Sequence, residues 1–546
     1  MLKLKYKEIK MYQLNSKTMK KALSLILMTS LLVSIMVSLS SCQNRDGSTN
    51  DTLNVSVTDE PVTLDPAFNL PGQVHSLISH VFEGLINIDG EGSFYPGVAE
   101  KWETNEDNTV FTFTLRDNSF WSDGTKVTAG DFKFSWLRVL NPESASPWAS
   151  FLYYIKNAEK YNQGELDENQ VGIEARDDRT LIVTLERPTP YFLNVVVLQP
   201  YYPVNRTIII ERGDAWAQNV DSMITNGAFL ITEWNRLVNI KLIRSDTYWD
   251  KDNVYLQNII FLLYSDSTTI MNAYDIGELD FVASTLTVDE MEQIDKVKFA
   301  NLITTRIIVF NNEREVFQDI RLREAISIAI DRNEFAILAG NGNYPLISLV
   351  PHGSFNLDDS DAAIYLNETS NIEHARSLLK EAGFENGEGI PALTYLTNTD
   401  EINVRNAEIF QSQMRKIGIN IEINSFERGV MIPQRFAGNY DLTPMNFSLG
   451  NYPDISGLLL AFTSNDMSNY PRLRNNYYDE LYSRILIESD AALRSTMIHE
   501  MKDILVSQYV VIPLFYSMEP YIARDNLSGY IYSPSDFVSL KQARLD

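Results

Sequence analysis

Apolar and polar positions change rhythm along the chain. Leu53, Val55 and Val57 alternate with Asn54 and Ser56, the period of two expected of a half-buried strand. The same reading makes strands of Val110–Leu115, Thr180–Leu185 and Ile419–Ile423. Apolar residues three and four apart predict helices over Val74–Ile86, Asp131–Val139, Arg321–Ala339, Ala375–Ala382 and Asn403–Lys416. The second of these opens on an acidic cap, Asp131, and the last three are closed by Gly340, Gly383 and Gly418. Strands and helices mixed in this way predict an α/β protein.

The first 52 residues follow a different rule. Lys20-Lys21 precedes the apolar and small run Ala22–Val37, and Leu39-Ser40-Ser41-Cys42 follows it. A positive start, a short apolar stretch and small residues at its end read as a secretory signal over 1–41, too short and too Ser-interrupted for a spanning helix. Residues 1–18 read as an extension upstream of an alternative start at Met19. Leu-Ser-Ser-Cys resembles the lipobox of bacterial lipoproteins, which implies a lipidated Cys42 as membrane anchor. The polar stretch that completes 42–52 then reads as a tether.

Length and charge narrow the reading. At 546 residues the chain exceeds what one core usually serves, so at least two lobes are expected. No Gly/Ser- or Pro-rich linker separates them, which suggests interleaved lobes. The formal net charge is −26, and removing residues 1–41 with their seven Lys and one Glu leaves −32. Such a field repels phosphate backbones and argues against nucleic-acid binding. Cys42 is the single cysteine, which excludes internal disulfides and Cys-based metal sites in the body. His75, His80, His352, His374 and His499 form no HExxH or HxH cluster, and surface or capping roles are expected of them. No GxSxG, HExxH or SxxK constellation with its partners is present. A hydrolase using two carboxylates remains the catalytic alternative, since 72 acidic residues do not exclude a suitable pair. A binding protein with no cofactor and no metal is the expectation.

A series of local patterns runs in a fixed order. Glu60-Pro61-Val62-Thr63-Leu64-Asp65-Pro66 is followed by Phe82-Glu83-Gly84-Leu85 and Pro96-Gly97-Val98-Ala99-Glu100-Lys101-Trp102. Then come Trp121-Ser122-Asp123-Gly124, Thr225-Asn226-Gly227, Gly277-Glu278-Leu279-Asp280, Arg321-Leu322-Arg323-Glu324-Ala325 and Ile512-Pro513-Leu514. In this order they resemble the oligopeptide- and dipeptide-binding proteins of bacterial ABC importers, from Leu53 to the C-terminus. Most of these residues read as scaffold. Gly124 and Gly227 supply turns, Trp102 and Trp121 pack, and Arg116 with Asp117 or Arg323 with Asp331 would be ion pairs.

The resemblance implies a two-lobe periplasmic-binding-protein-like (type II) fold with a subdomain inserted in lobe I. Lobe I would comprise 53–92, 220–309 and 514–546, the inserted subdomain 93–219, and lobe II 310–513. It implies a monomer that captures oligopeptides by main-chain hydrogen bonding and hinge closure, then delivers them to importer permease subunits. Glu60, Val62 and Thr63 resemble one bonding edge, and Asn446–Tyr452 the opposite one. Family members place an Asp before the Tyr of that second stretch to pair the ligand ammonium. Here Asn451 precedes Tyr452, the stretch is one residue longer, and Asp454 is the displaced alternative. That departure leaves a free-N-terminus requirement open, and with it another ligand class: a metal chelate, a sugar-peptide or a signalling peptide. Arg435 matches an arginine that meets ligand carboxylates and Asn465 a pocket-lining Asn. Trp148, Phe426, Phe447 and Tyr516 match aromatic cleft positions, each equally readable as core.

Overall fold

The computed structural model describes residues 51–58, 60–69, 73–89, 93–264, 266–282, 297–346, 349–350, 367–448, 454–533 and 537–546. The signal, Cys42, most of the tether and Asn451 lie outside them. Strand β1 (Thr52–Val57) buries Leu53, Val55 and Val57. Helix α1 (Gln73–Val81) buries Leu77, Ile78 and Val81 in the same core. The chain then builds a separate antiparallel sheet from β2 (Ala99–Thr104), β3 (Val110–Leu115), β4 (Ile173–Ala175) and β5 (Thr180–Thr184), in the order β2-β3-β5-β4. Helix α2 (Ala129–Leu140) packs on β4 and β5.

Strands β6 (Phe229–Asn235), β7 (Asn239–Arg244), β8 (Asn258–Leu263) and β9 (Phe281–Val282) return to β1, which pairs in parallel with β8 and β9. The 13-residue strand β10 (Lys298–Phe310) leads into the second half. There β11 (Tyr344–Pro345), β12 (Leu393–Asn398), β13 (Ile421–Phe426) and β14 (Leu442–Ser448) precede β15 (Val511–Ala523), which runs back beside β10. These strands and β1 form one sheet in the order β13-β12-β14-β10-β15-β9-β1-β8-β7-β6, with β11 on β15. Apolar packing is nevertheless divided. One core gathers residues from Leu53 to Phe261 with 523–543, and two others lie on the faces of the second half, between 307 and 515. Two separately packed halves joined by two long strands give the expected two-lobe α/β fold. Among the described residues no helix is long and apolar enough to cross a membrane, and no group of three or more His, Cys, Asp and Glu gathers as a metal site.

The structure adjusts several elements read from the pattern. The first helix stops at Val81, because the Glu83 N–H is taken by Asn226 Oδ1 (3.1 Å) and the Gly84 and Leu85 carbonyls by the segment at Gly97–Ala99. Thr128, not Asp131, is the N-cap of α2; Asp131 closes the capping box three residues later. Arg321–Ala339 is two helices, α3 (Ile320–Ile328) and α4 (Arg332–Ala339), interrupted where Asp331 caps the second. The expected ion pairs are replaced. Asp117 pairs with Lys126, Arg116 stacks 3.5 Å from the centre of the Trp249 ring, and Arg323 donates to backbone carbonyls of Phe317 and Gln508. Gly227 has no left-handed backbone; a Cβ there would lie 2.4 Å from the Val81 carbonyl carbon, so close approach demands it.

His80 also departs from its expected surface role, for it is 1% exposed. Its Nε2 accepts from the Leu540 N–H at 2.9 Å, so Nδ1 carries the proton and donates to the Ser76 carbonyl. Burial lowers its pKa to about 4. The unfolded imidazole, near 6.5, therefore binds more protons than the native one between these values. Stability is full above pH 6.5 and falls with acidification, by about 1.4 kcal/mol per unit, towards a loss of roughly 3 kcal/mol at pH 4. Urea unfolding between pH 4 and 7 should show this limb, and His80→Gln, which keeps an acceptor for Leu540, should flatten it. An equally steep limb in the variant would exclude His80 as its source.

Candidate functional site

In open α/β sheets ligands lie beyond the carboxyl ends of the parallel strands. In the second half those ends are Asn398 on β12, Phe426 on β13 and Ser448 on β14. The antiparallel β10 brings Thr304, Thr305 and Arg306 to the same edge, opposite Ser448, Phe447 and Asn446. A polar network covers it. Arg306 donates to Asn446 Oδ1 (2.7 Å) and Asn403 Oδ1 (2.5 Å), and Thr304 to Ser448 Oγ (2.7 Å). Asn403, in the first turn of α5 (Glu401–Arg415), donates to Asn398 Oδ1 (2.7 Å), and Asn398 donates to Asp400 Oδ2 (2.6 Å). The Arg306 Nε is buried without a partner, and burial, with the Arg435 charge adding to it, lowers the Arg306 pKa.

Helix α6 (Arg428–Ala437) follows β13 and carries Arg435 in its last turn. That guanidinium lies 5.0 Å from the centre of the Tyr470 ring, its Nε is buried without a partner, and burial lowers its pKa. Among the described residues neither Arg306 nor Arg435 makes an ion pair with a carboxylate. Phe426 is 39% exposed at the end of β13. Tyr516, opposite Thr305 on β15, is half-buried and donates to the Val350 carbonyl (3.0 Å). Asn465 is exposed in the stretch after Phe462.

Phe447 is placed differently from the cleft position expected of it. It is fully buried, 6.0 Å from Phe462, among Ile307 and Val309. The strand period of two explains this. Arg306 pairs with Asn446 on one face, so their neighbours Ile307 and Phe447 turn to the other.

In the first half, Glu60 is committed to scaffold bonds. Its Oε1 accepts from Trp234 Nε1 (2.7 Å) and Arg236 (3.1 Å), and its Oε2 from the Leu237 N–H (2.8 Å). Thr63 Oγ1 accepts from the Asp65 N–H, while Asp65 is clamped by both Arg138 terminal nitrogens and by Trp216. Between these fixed points Val62 is 87% exposed. Trp148 donates to the Asn69 carbonyl (2.6 Å) and packs edge-on against Phe151.

Asp454 is the N-cap of α7 (Ile455–Leu459), and Arg494 holds it bidentately at 2.6 and 3.1 Å. The two side chains are 8% and 12% exposed. The counter-charge that the sequence offers to a ligand ammonium is thus already neutralised from within. Tyr191, from the core of the first half, stacks its ring 4.7 Å from the Arg494 carbon. Burial and the Asp454 charge raise the Tyr191 pKa. Here the two halves touch.

Sequence reasoning missed Arg306, Asn403, Arg494 and Tyr191. Arg306 has a signal, a charge at the head of the apolar run Ile307-Ile308-Val309-Phe310. Arg494 has none, because it reaches Asp454 only through folding, across 40 positions.

Comparison with known proteins agrees with this architecture. Residues 93–469 match the family described as bacterial extracellular solute-binding proteins, family 5, middle. The dipeptide-binding protein DppE of Bacillus subtilis (strain 168) is 30% identical over 501 residues, 90% of this chain and 91% of that one. Among solved structures, the unliganded open form of the periplasmic murein tripeptide binding protein MppA superposes with a TM-score of 0.82 at 29% identity, over 91% of this chain and 98% of that one. Haemophilus influenzae OppA in complex with the peptide RPPGFSPFR gives 0.66 at 25% identity, over 91% and 99%. The chain belongs to the bacterial extracellular solute-binding proteins of family 5, whose members named here are binding proteins.

Breaking a buried pair strands a charge and costs roughly 3–5 kcal/mol. Arg494→Met should lose stability on that scale in chemical denaturation. The double variant Asp454→Asn/Arg494→Met, which keeps an N-cap acceptor and removes both charges, should recover most of it. A single variant as stable as wild type would show that the pair is not held as described.

Proposed function

We propose that the chain captures oligopeptides between its two lobes and hands them to the permease of an ABC importer, as a monomer held to the outer face of the cell membrane by lipid on Cys42. The observation that carries this reading is the joint. Two separately packed halves meet through β10 and β15, and a polar strand-end edge lies beside that joint. A protein that only scaffolds has no use for both. The better fit to an unliganded open relative than to a peptide complex agrees with a cleft open to ligand.

Lobe I is proposed as 53–92, 220–309 and 514–546, with 93–219 inserted and 310–513 as lobe II. The separate sheet β2–β5 supports the inserted segment and the division of apolar cores supports a two-lobe split, with Ile307–Val309 and Leu514–Phe515 packing on the second half. An extended ligand would bond through its main chain to Glu60–Thr63 on one side and to the stretch Asn446–Tyr452 on the other, since every peptide shares that backbone. Phe426, Arg435, Asn465 and Tyr516 would stand along its side chains. The reading is of capture without turnover, so ligand should be recovered chemically unchanged.

Ligand favours the closed form by its differential affinity for it. Calorimetry with ligand-free protein and a set of tripeptides should show one site per chain, and small-angle scattering should show a smaller radius of gyration at saturation. Saturable binding with an unchanged profile would refute hinge closure; no binding would refute the peptide reading. Anchoring is tested separately. Cys42→Ala should leave the membrane fraction or remain unprocessed, because a multiply acylated anchor is lost with its attachment atom. Full membrane retention of a mature-sized Cys42→Ala product would remove the lipid anchor from the proposal.

A further inference from the structure

Three strongly buried ion pairs lie elsewhere in the molecule: Arg138–Asp65, Arg494–Asp454 and Lys541–Glu83, all with side chains less than a fifth exposed. The charge at the strand-end edge is treated differently. Arg306 is half-buried in a chain with 72 acidic residues, yet two amide oxygens, of Asn446 and Asn403, are its described hydrogen-bond partners. A guanidinium offers five N–H donors in a planar fork. Two are used here, and Nε is buried with nothing to accept from it.

Two structural arginines in this protein look otherwise. Arg323 and Arg332 also lack a carboxylate, but each of their three nitrogens is bonded, to carbonyls of Phe317, Gln508, Pro513, Asn367 and Ser327 or to the Ser327 hydroxyl. Asp400, the acid near Arg306, lies beyond the amides of Asn398 and Asn403, which it accepts from. Arg435 adds a second guanidinium without an ion-pair partner, and its charge bears on Arg306. Two like charges within electrostatic reach disfavour each other, so an anion arriving at Arg306 is favoured further.

We infer that Arg306, supported by Arg435, is a specificity-determining residue that makes the cleft select peptides carrying an acidic side chain. The two asparagines fix the plane of the fork and leave its remaining donors for a carboxylate, the partner a planar bidentate donor matches. This rests on the peptide reading proposed above and adds the class of peptide. The protein's own charge of −26 works against such ligands at long range. A preference for them therefore has to come from a local cation.

The test is calorimetry on the full-length protein with six tripeptides: alanine backbones with Glu at the first, second or third position, and the three Gln counterparts. In wild type the Glu peptide should bind about tenfold more tightly than its Gln counterpart in at least one position. Arg306→Gln should bring that ratio below about twofold, Arg306→Lys should retain part of it, and Arg435→Gln should reduce it. The ratio, unlike overall affinity, is not moved by a generally loosened edge. Glu and Gln peptides binding wild type within about twofold at every position would overturn the inference and leave peptide capture standing. An unchanged ratio in Arg306→Gln with a wild-type melting temperature would also overturn it. If Arg306→Gln does not fold, the wild-type ratio and Arg306→Lys decide. Failure of all six peptides to bind would overturn the peptide reading, and this inference with it.

Discussion

The antiparallel ladder between β10 and β15 is the constraint around which the molecule is arranged. Each strand is 13 residues long, and together they run from Lys298 opposite Tyr521 to Val309 opposite Val511. The register shifts between Asn301 and Thr305 and again between Arg306 and Ile307. On one side of that interruption the pair is fused into the sheet by β9, and on the other by β14. Each half is thus stiff through its own core, and the backbone between them is least tightly laddered at the middle. The hinge closure proposed above would be confined to a few residues, because everything flanking them is packed. Arg332, fully buried and bonded to the Pro513 carbonyl at 2.7 Å, pins α4 to β15 just beyond the interruption.

The same interruption sets how the proposed ligand edge would move. Thr304, Thr305 and Arg306 lie at these shifts against β15 but pair without interruption with β14, so any rotation there would carry the polar edge with the second half. Tyr191 against Arg494 is the complementary restraint. It joins the cores of the two halves away from the strands, and it does so by stacking on a neutralised pair rather than by an ion pair across the joint. A ring on a guanidinium face tolerates sliding that a bidentate salt bridge does not.

Much of the fold was legible in the sequence because strands and helices with one apolar face are written as local periods. Leu53–Val57 and Val110–Leu115 are strands, and the helix closed by Gly383 ends where the glycine requires. Failures occurred where distant partners override the local period. The first helix stops at Val81 because Asn226 and the Gly97 segment take the next backbone groups, and neither is visible from residues 74–86. The site was legible by position and poorly by role. Phe426 and Arg435 stand by the strand ends, but Phe447 turned to the core through a parity that only the pairing with β10 settles. His80 read as a surface residue because its acceptor role depends on the Leu540 N–H, 460 positions away.

That last bond has a consequence for how the chain is made. Leu540 on His80, Val538 on the Ser76 hydroxyl and Lys541 on Glu83 bring the final residues back to elements formed within the first hundred. Strand β15, which completes both halves of the sheet, is likewise among the last segments to be synthesised. Loop closure over such separations cannot begin until the far end exists. The N-terminal lobe can pair its own strands early, β1 with β8 and β9, but β9 lacks β15 and the core lacks residues 523–543 until synthesis is nearly over, and the second half likewise waits for β15 beside β10. Both halves are finished only once β15 has emerged, and the interval before that is when this chain most needs protection from its neighbours.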